Sequence, residues 1–315
     1  SRNSKAKRTV TIDKQHGATL VSRGVRLWIA FAFLSVASCA SLLAADDIAR
    51  SGGPYVPTPQ AVVDEMLNMA RVGPDDFVID LGSGDGRIVL TAAGRYRARG
   101  MGVDIDGELV DLSNAEAKRQ GVDKLVKFHR QDVLQTRISD ATVITLYLLP
   151  ELMHVLRDRI YSQLKPGARV VSHDFSFIEW LPDRKVTLDV MEKYHMPGPW
   201  QSTVYLWIVP AKVDGSWRAA AAGPGGEDIV FAFTQKFQEL DGHAVYGDTR
   251  VMLQDGELQG NKIRFRLPEV AAGRKAMREF QGTVDGDTIN GQVMSQHGTA
   301  SWAAKRVGTP VQPQR

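Results

Sequence analysis

Between residues 58 and 172, apolar positions follow two periods that alternate along the chain. Short apolar runs such as Phe77–Leu81 and Val143–Leu149 show no alternation of apolar and polar residues, whereas the segments between them place apolar residues three or four positions apart. Uninterrupted apolar runs are typical of strands covered on both faces of a parallel sheet. The pattern therefore predicts an α/β fold with a doubly wound, Rossmann-like sheet.

The predicted elements begin with a helix after Thr58, which we interpret as an N-cap because Pro59 follows it. The next elements alternate, with strands at 77–81, 101–105, 126–129, 143–149 and 168–172, and helices at 86–97, 108–120 and 151–164. Two further runs, Val186–Val190 and Thr203–Val209, predict a reversed antiparallel strand pair that closes the sheet. We assign residues 58–212 to this first domain.

After residue 212 the apolar and polar residues alternate in short runs. The breaker cluster Gly223–Gly226 precedes most of these runs, and Asp-Gly pairs at 241–242, 255–256 and 285–286 predict turns between strands. The pattern predicts a small all-β sandwich or barrel domain at residues 213–315. Since this part shows no clustered chemistry, we expect a recognition or assembly role for it.

The first 45 residues differ from the rest in charge and hydropathy. Residues 1–26 carry seven basic side chains and one acidic side chain, and residues 27–45 are mainly apolar and uncharged. This pattern is typical of a signal peptide or an N-terminal membrane anchor, followed by a linker at 46–57. Val36–Cys39 also resembles the lipobox of bacterial lipoproteins. We expect an exported or membrane-anchored protein, periplasmic or a lipoprotein; a mitochondrial-type leader or a cytoplasmic-facing anchor is the alternative.

Composition limits the partners. The net charge is +3, but without the basic leader the chain carries three more acidic than basic residues. This remainder gives no electrostatic reason to expect nucleic acid. Because Cys39 is the single cysteine, no intramolecular disulfide forms, and we expect no metal.

The strongest chemical signal is the D-x-G-x-G-x-G stretch from Asp80 to Gly86. A strand leads into a glycine-rich turn and then a helix, whose N-terminus favours anionic groups. A dinucleotide fingerprint needs a glycine at the sixth position from Gly82, where this chain has Arg87. The stretch resembles motif I of class I S-adenosylmethionine methyltransferases. The resemblance implies that Asp80 serves the aminocarboxyl end of this cofactor and that the turn contacts it through Gly82, Ser83, Gly84 and Gly86.

Acidic residues also follow the next two predicted strands. Asp104 lies at the end of the second strand, at about the distance from the glycine-rich turn where an acid accepts hydrogen bonds from ribose hydroxyls. Asp106 competes for this role, and Ile105 lies between the two. After the third strand, the resemblance implies that Asp132 and the backbone of Val133 hold the adenine.

Candidates for the acceptor side lie at the ends of the fourth and fifth strands: Tyr147, Glu151, His173, Asp174 and Phe175. Methyl transfer needs an aligned neutral nucleophile, and a lysine amine, with a reference pKa near 10.4, must first lose a proton. An acidic or aromatic lining serves both needs. Glu151 also fits a helix start, and His173 with Asp174 also fits a structural pair. The run typical of base N-methyltransferases is absent here, which disfavours base methylation.

Several segments together resemble a narrower family: PYVPTP at 54–59, DLGSGDGRIV at 80–89, TLYLLPEL at 145–152 and LKPGARVVSHDF at 164–175. They are similar to the protein-lysine N-methyltransferases that modify the ATP synthase c-subunit and adenine nucleotide carriers, and to their bacterial relatives. The resemblance covers about residues 54–210 and implies that Tyr55 and Thr58 lie close to the cofactor. The chain departs from the eukaryotic members in lacking a tryptophan after Asp132 and in carrying the β domain.

The sequence therefore predicts an S-adenosylmethionine-dependent methyltransferase that acts on a protein lysine, with membrane proteins among the acceptors. One alternative is an exported or anchored binding or assembly protein in which the methyltransferase fold is inactive. The other is a nucleotide-dependent Rossmann oxidoreductase, which the fingerprint mismatch at Arg87 disfavours.

Overall fold

The computed structural model describes residues 55–191, 200–223, 225–271 and 274–308. The leader at 1–45, with its predicted signal, lipidation and anchor features, lies outside these residues, as does most of the linker. Across the part that is described, no helix combines the length and the apolar character that crossing a bilayer requires.

A seven-stranded sheet forms the first half of the described chain. Its strands are β1 Phe77–Leu81, β2 Arg99–Asp104, β3 Val126–Arg130, β4 Val143–Leu146, β5 Arg169–His173, β6 Arg184–Asp189 and β7 Gln201–Ile208, in the order β3-β2-β1-β4-β5-β7-β6. β1 to β5 are parallel and β7 runs antiparallel to β5, whereas β6 pairs with β7 as the predicted antiparallel pair and so has the direction of β1 to β5. The order reverses between β1 and β4, where ligands of such sheets bind.

Four helices pack on this sheet: α1 Gln60–Met69, α2 Arg87–Tyr96, α3 Gly107–Arg119 and α4 Pro150–Gln163. Their apolar faces and the strands bury an aliphatic core that includes Leu67, Ile79 and Leu156. The predicted N-cap at Thr58 is wrong, because Pro59 occupies the cap position and no side chain caps α1. The predicted strand 143–149 is too long, because β4 ends at Leu146 and the next residues turn away from the sheet toward Pro150.

Nine antiparallel strands form the second half of the described chain: β8 Gly215–Ala219, β9 Ile229–Lys236, β10 Glu239–Tyr246, β11 Thr249–Met252, β12 Gln254–Gln259, β13 Lys262–Ala271, β14 Arg274–Asp285, β15 Thr288–Ser295 and β16 Gly298–Arg306. β9 pairs with both β8 and β10, and β10 also pairs with β12, so eight strands close into a barrel. β11 pairs with the end of β10, on the edge of β10 that also pairs with β12. Phe231, Phe265, Phe280 and Trp302 fill its core. The structure therefore decides for a barrel over a sandwich.

Two of the three predicted Asp-Gly turns lie inside strands. Gly242 belongs to β10, where a Cβ would lie 2.1 Å from the carbonyl oxygen of Ala232 on the neighbouring strand. Asp255 and Gly256 belong to β12 at a register shift against β13. Glycines and bulges let strands approach and bend where a barrel closes. Only Gly286, between β14 and β15, lies in a turn as predicted.

Candidate active site

A cavity of about 330 Å³ lies at the carboxyl edge of the sheet, above β1, β2 and β4. It is lined by the segment before α1, by the glycine-rich turn after β1, by the end of β2 and by residues that follow β4 and β5. Eleven candidate residues of the sequence contribute to the lining: Tyr55, Thr58, Asp80, Gly82, Ser83, Gly84, Asp104, Ile105, Asp106, Tyr147 and Phe175.

The glycine-rich turn forms the floor of the cavity. The amides of Gly82 and Ser83 both donate to the carbonyl oxygen of Val103, which fixes the turn against β2. Gly84 has φ of +51°, and a Cβ there would lie 2.5 Å from Cε2 of Tyr55. Glycine is therefore required both for the backbone conformation and for the close approach of the tyrosine ring. Gly86 does not line the cavity; it precedes α2 in a left-handed conformation.

Asp80 is a buried carboxyl group at the base of the cavity. It is 2% exposed, and the Thr145 hydroxyl donates to its Oδ1 over 2.7 Å. Burial raises the pKa of Asp80 to about 7, and the nearby negative charges of Asp104 and Asp85 add to the rise. Close by, the buried hydroxyl of Ser83 has no hydrogen-bond partner among the described residues. The base of the cavity therefore offers polar groups that a ligand carrying a positively charged amine satisfies.

Asp104 and Asp106 lie together where β2 ends, but they hold different backbone groups. Asp104 accepts from the amide of Gly84 at 2.8 Å and from the amide of Asp106 at 3.0 Å. Asp106 is the N-cap of α3 and accepts from the amide of Glu108 at 2.9 Å. Asp104 thus connects the glycine-rich turn with the end of β2, and 45% of Ile105 is exposed beside it.

The segment before α1 (Tyr55–Pro59, here called the N-terminal segment) covers one side of the glycine-rich turn. Arg87 connects the two, because its guanidinium pairs with Asp85 at 2.6 Å and donates to the carbonyl oxygen of Thr58 at 2.8 Å. Burial alone would raise the pKa of Asp85, but the hydrogen bonds from Arg87 outweigh it and lower that pKa. The pKa of Tyr55 is raised by burial and by the neighbouring Asp85.

Sequence reasoning did not select Asp85 or Arg87 as site residues. Both side chains line the cavity together with Leu148 and Leu149, which leave the sheet after β4. The signal in the sequence is the pair of opposite charges at 85 and 87, where the glycine-rich turn meets α2. In the sequence, Arg87 alone indicates only a mismatch with the dinucleotide fingerprint.

Aromatic rings form the opposite end of the cavity. Tyr147 is half-buried, and its ring centroid lies 6.2 Å from that of Phe175 with the planes 22° apart. Burial raises the pKa of the Tyr147 hydroxyl, with a contribution from Asp174. The hydroxyl therefore keeps its proton at neutral pH, and this end of the cavity is apolar with one hydroxyl group.

His173 and Asp174 lie behind Tyr147 and do not line the cavity. His173 is fully buried; its Nδ1 lies 3.3 Å from the Thr58 hydroxyl and its Nε2 lies 2.9 Å from the Ser202 hydroxyl. The centroid of its ring is 3.9 Å from that of Tyr147. Asp174 accepts from the amide of Thr203 at 2.8 Å. Oδ2 of Asp174 also lies 3.2 Å from Nε2 of His173, so the two form a pair in which His173 contacts Tyr147 and Thr58.

Three other predicted site residues lie away from the cavity lining. Glu151 is exposed in the first turn of α4. Asp132 is exposed after β3, where it accepts from the amide of Leu134, and Val133 is buried in the core. Within the described residues, no group of three or more His, Cys, Asp or Glu side chains is arranged to hold a metal ion.

The chain is similar to known methyltransferases in the region that contains this site. Residues 80–184 match the ANTKMT methyltransferase domain. The chain is 38% identical to a protein-lysine N-methyltransferase of Saccharolobus islandicus, over 50% of this chain and 93% of that protein. It is 36% identical to the adenine nucleotide translocase lysine N-methyltransferase of Mus musculus, over 41% of this chain and 56% of the mouse protein.

Among solved structures, an RNA methyltransferase from Salinibacter ruber in complex with S-adenosylhomocysteine shares 47% identity with the chain. The match covers 50% of this chain and 96% of that protein, with a TM-score of 0.46. The family match begins at Asp80, at the base of the cavity, and includes the glycine-rich turn, Asp104, Tyr147 and Phe175. The chain belongs to the protein-lysine N-methyltransferase family and is an S-adenosylmethionine-dependent methyltransferase.

Proposed function

We propose that this protein transfers a methyl group to the side-chain amine of a lysine in another protein. The observation that carries the proposal is the construction of the cavity, which is polar and acidic at the glycine-rich turn and aromatic at Tyr147 and Phe175. An alkyl amine fits the second end, because aromatic faces pack against its methylene groups.

The residues at the polar end fit S-adenosylmethionine. Asp80 and the hydroxyl of Ser83 lie buried at the base, where the charged amino group of the cofactor would satisfy them. Asp104 lies at the end of β2 for the ribose, and we propose Asp132 and Val133, after β3, for the adenine. When bound, the cofactor supplies an electrophilic methyl group on sulfur.

Tyr147 orients the acceptor. Because its hydroxyl stays protonated at neutral pH, it does not act as a base but holds the amine through a hydrogen bond. The rings of Tyr147 and Phe175 keep water away from the neutral amine, and His173 fixes the position of the Tyr147 ring from below. The lysine loses its proton to solvent before it enters, so we expect the rate to rise with pH up to the pKa of the acceptor lysine.

The names of the relatives define the class of acceptor that we propose. The protein from Saccharolobus islandicus is a protein-lysine N-methyltransferase, and the mouse protein acts on a lysine of the adenine nucleotide translocase. We also propose that the acceptor is a membrane protein. We further propose that the chain is exported or anchored through residues 1–45.

The test incubates the purified chain with tritiated S-adenosylmethionine and a cell lysate divided into protein and RNA fractions. Acid hydrolysis and chromatography of the labelled protein should show methyl-lysine. At a cofactor concentration near the Kd of the parent chain, Asp104→Ala should reduce the label about tenfold or more. Asp75→Ala changes an exposed carboxylate before the opposite end of β1 and should retain the label. Label in RNA alone, or in methyl-arginine or methyl-histidine alone, would refute the proposal.

A further inference from the structure

The turn between β9 and β10 is the place where the barrel reaches the aromatic core of the methyltransferase sheet. Phe237, in a left-handed conformation at this turn, lies flat against Trp180 with ring centroids 5.1 Å apart and planes 5° apart. It also meets the edge of Tyr161 at 5.1 Å, and the guanidinium of Arg157 lies 5.7 Å from its ring centroid. The barrel thus inserts a side chain into a core that belongs to the other half of the molecule.

Trp180 belongs to the β5–β6 segment (Asp174–Asp183), which forms part of the active site at its other end. Phe175, near the start of this segment, lines the cavity and stacks with Tyr147. Phe177 and Trp180 then point into the core, with ring centroids 5.5 Å apart. The same ten residues therefore connect the acceptor end of the cavity with the barrel.

A polar contact fixes the segment beside the aromatic one. The side-chain amide of Gln238 donates to the carbonyl oxygen of Leu181 over 2.6 Å. Gln238 is itself held by the barrel, because its carbonyl oxygen accepts from the amide of Leu258 at 2.9 Å. The sheet also holds this segment, because Nε1 of Trp207 donates to the carbonyl oxygen of Trp180 at 2.8 Å and the amide of Ile208 donates to Asp183 at 2.7 Å. Ile178 and Leu181, between these points, are 63% and 62% exposed. Phe237 and Gln238 therefore add the contacts that the barrel makes with the middle of the segment.

A second contact between the two halves does not reach the active site. The amide of Ala211 donates to the carbonyl oxygen of Gly260, and Gly260 packs near Gly167 before β5. Gly167 lies at the amino edge of the sheet, opposite the cavity. This second contact attaches the barrel at the edge away from the cavity, whereas the Phe237 turn touches the segment that carries Phe175.

We propose that Phe237 and Gln238 of the barrel are positioning residues for methyl transfer: they hold the β5–β6 segment so that Phe175 forms the acceptor end of the cavity. The barrel then acts on acceptor binding and leaves the cofactor end unchanged. This inference rests on the proposed function for the identity of the acceptor. The positioning of the β5–β6 segment by the barrel does not depend on which acceptor binds.

The first test is hydrogen exchange of the full chain. Phe237→Ala should increase amide exchange in residues 174–183 about tenfold or more, because their local opening loses the contacts that oppose it. Exchange in β1 and the glycine-rich turn should not change, and the affinity for S-adenosylhomocysteine should stay within about twofold. Phe237→Tyr, which keeps the ring, should restore protection. Met252→Ala, which removes an exposed apolar side chain elsewhere on the barrel, is the matched control.

The second test measures methyl transfer to the protein fraction that the parent chain labels. Phe237→Ala and Gln238→Ala should raise the acceptor KM or lower kcat at unchanged cofactor affinity, and Phe237→Tyr should recover the parent values. The inference would be overturned if Phe237→Ala left amide exchange in residues 174–183 unchanged. It would also be overturned if the variant lost as much affinity for S-adenosylhomocysteine as it lost in methyl transfer. If the parent chain labels no protein, the proposed function fails, while the exchange experiment still decides the inference.

Discussion

At the cofactor end of the cavity the polar groups come from residues 80–106, whereas at the acceptor end Tyr147 and Phe175 follow two different strands. His173, beside Tyr147, is in turn held by the hydroxyls of Thr58 and Ser202, which lie far apart in the chain. The first end consists of a glycine-rich turn and carboxylates at neighbouring strand ends. The second consists of rings that stand on a fully buried histidine. The residues for cofactor recognition therefore lie close together in the sequence, whereas acceptor recognition depends on tertiary packing.

A change at the acceptor end should have its main effect on the rate of methyl transfer. Tyr147→Ala should lower the rate of methyl transfer about 100-fold, because a misplaced nucleophile costs this much even when it binds. Cofactor affinity, measured by titration calorimetry with S-adenosylhomocysteine, should stay within about twofold. Tyr147→Phe keeps the ring and should lose less than the alanine variant. If both variants weaken S-adenosylhomocysteine binding as much as they slow the reaction, Tyr147 contributes to cofactor binding and not to the acceptor end alone.

The next effect concerns the cofactor end alone. Asp104→Ala should weaken S-adenosylhomocysteine binding about 10- to 100-fold, the loss expected for hydrogen bonds to a charged group. Part of the loss comes from the amide of Gly84, which donates to Asp104. Asp75→Ala is the control, and its affinity should match that of the parent chain. Equal affinities of the Asp104 variant and the parent would show that the ribose contact lies elsewhere.

A pH dependence sharpens the role of Asp80. Its pKa is raised to about 7, mainly by burial, so the group is protonated below pH 7 and ionised above it. Because the ionised form pairs with the amino group of the ligand, S-adenosylhomocysteine affinity should rise about tenfold per pH unit below 7 and level off above it. Thr145→Val removes the hydrogen bond to the carboxylate and should move the midpoint to higher pH. In Asp80→Asn the dependence should disappear.

The same pKa shift predicts the opposite trend for stability. The folded protein holds the Asp80 proton more tightly than the unfolded chain, so this group favours folding at low pH and the contribution is lost as pH rises toward 7. Asp80→Asn should therefore raise the melting temperature at pH 8 more than at pH 5 in the absence of ligand. A variant that melts lower than the parent at pH 8 would contradict this assignment.

The smallest effect tests the support beneath the acceptor end. Thr58→Val removes the hydroxyl that meets His173 and should lower the free energy of unfolding by about 1 kcal/mol, the net value of one buried hydrogen bond. Thr58→Ser keeps the hydroxyl and serves as the control. Denaturant unfolding measures both variants. A valine variant as stable as the parent would show that His173 does not depend on this contact.

Much of the first domain followed from the chain alone. The apolar runs predicted β1, β2, β3 and β5 to within two residues of their ends. β1 and β5 are buried on both faces and leave a strong pattern, whereas β3 alternates between buried and exposed positions. The antiparallel pair β6–β7 was also confirmed. The errors fell where side chains serve the site: Thr58 contacts His173 instead of capping a helix, and Tyr147 leaves the sheet to line the cavity.

The second domain was harder to predict. Asp-Gly pairs are typical of turns, but in β10 and β12 they lie where the barrel needs a close strand approach or a bulge. Local sequence does not distinguish these uses of glycine, because the difference lies in which strand is the neighbour. For the same reason, alternation of apolar and polar residues left sandwich and barrel open.

The doubly wound sheet, the glycine-rich turn and the acids at the strand ends followed from the sequence alone, because each depends on spacing within one short stretch. The packing of His173 against Tyr147, the link from Arg87 to the N-terminal segment and the contact of Phe237 with Trp180 became known from the fold. These contacts join residues far apart in the chain. No local sequence pattern predicts these contacts, because they depend on how the whole fold packs.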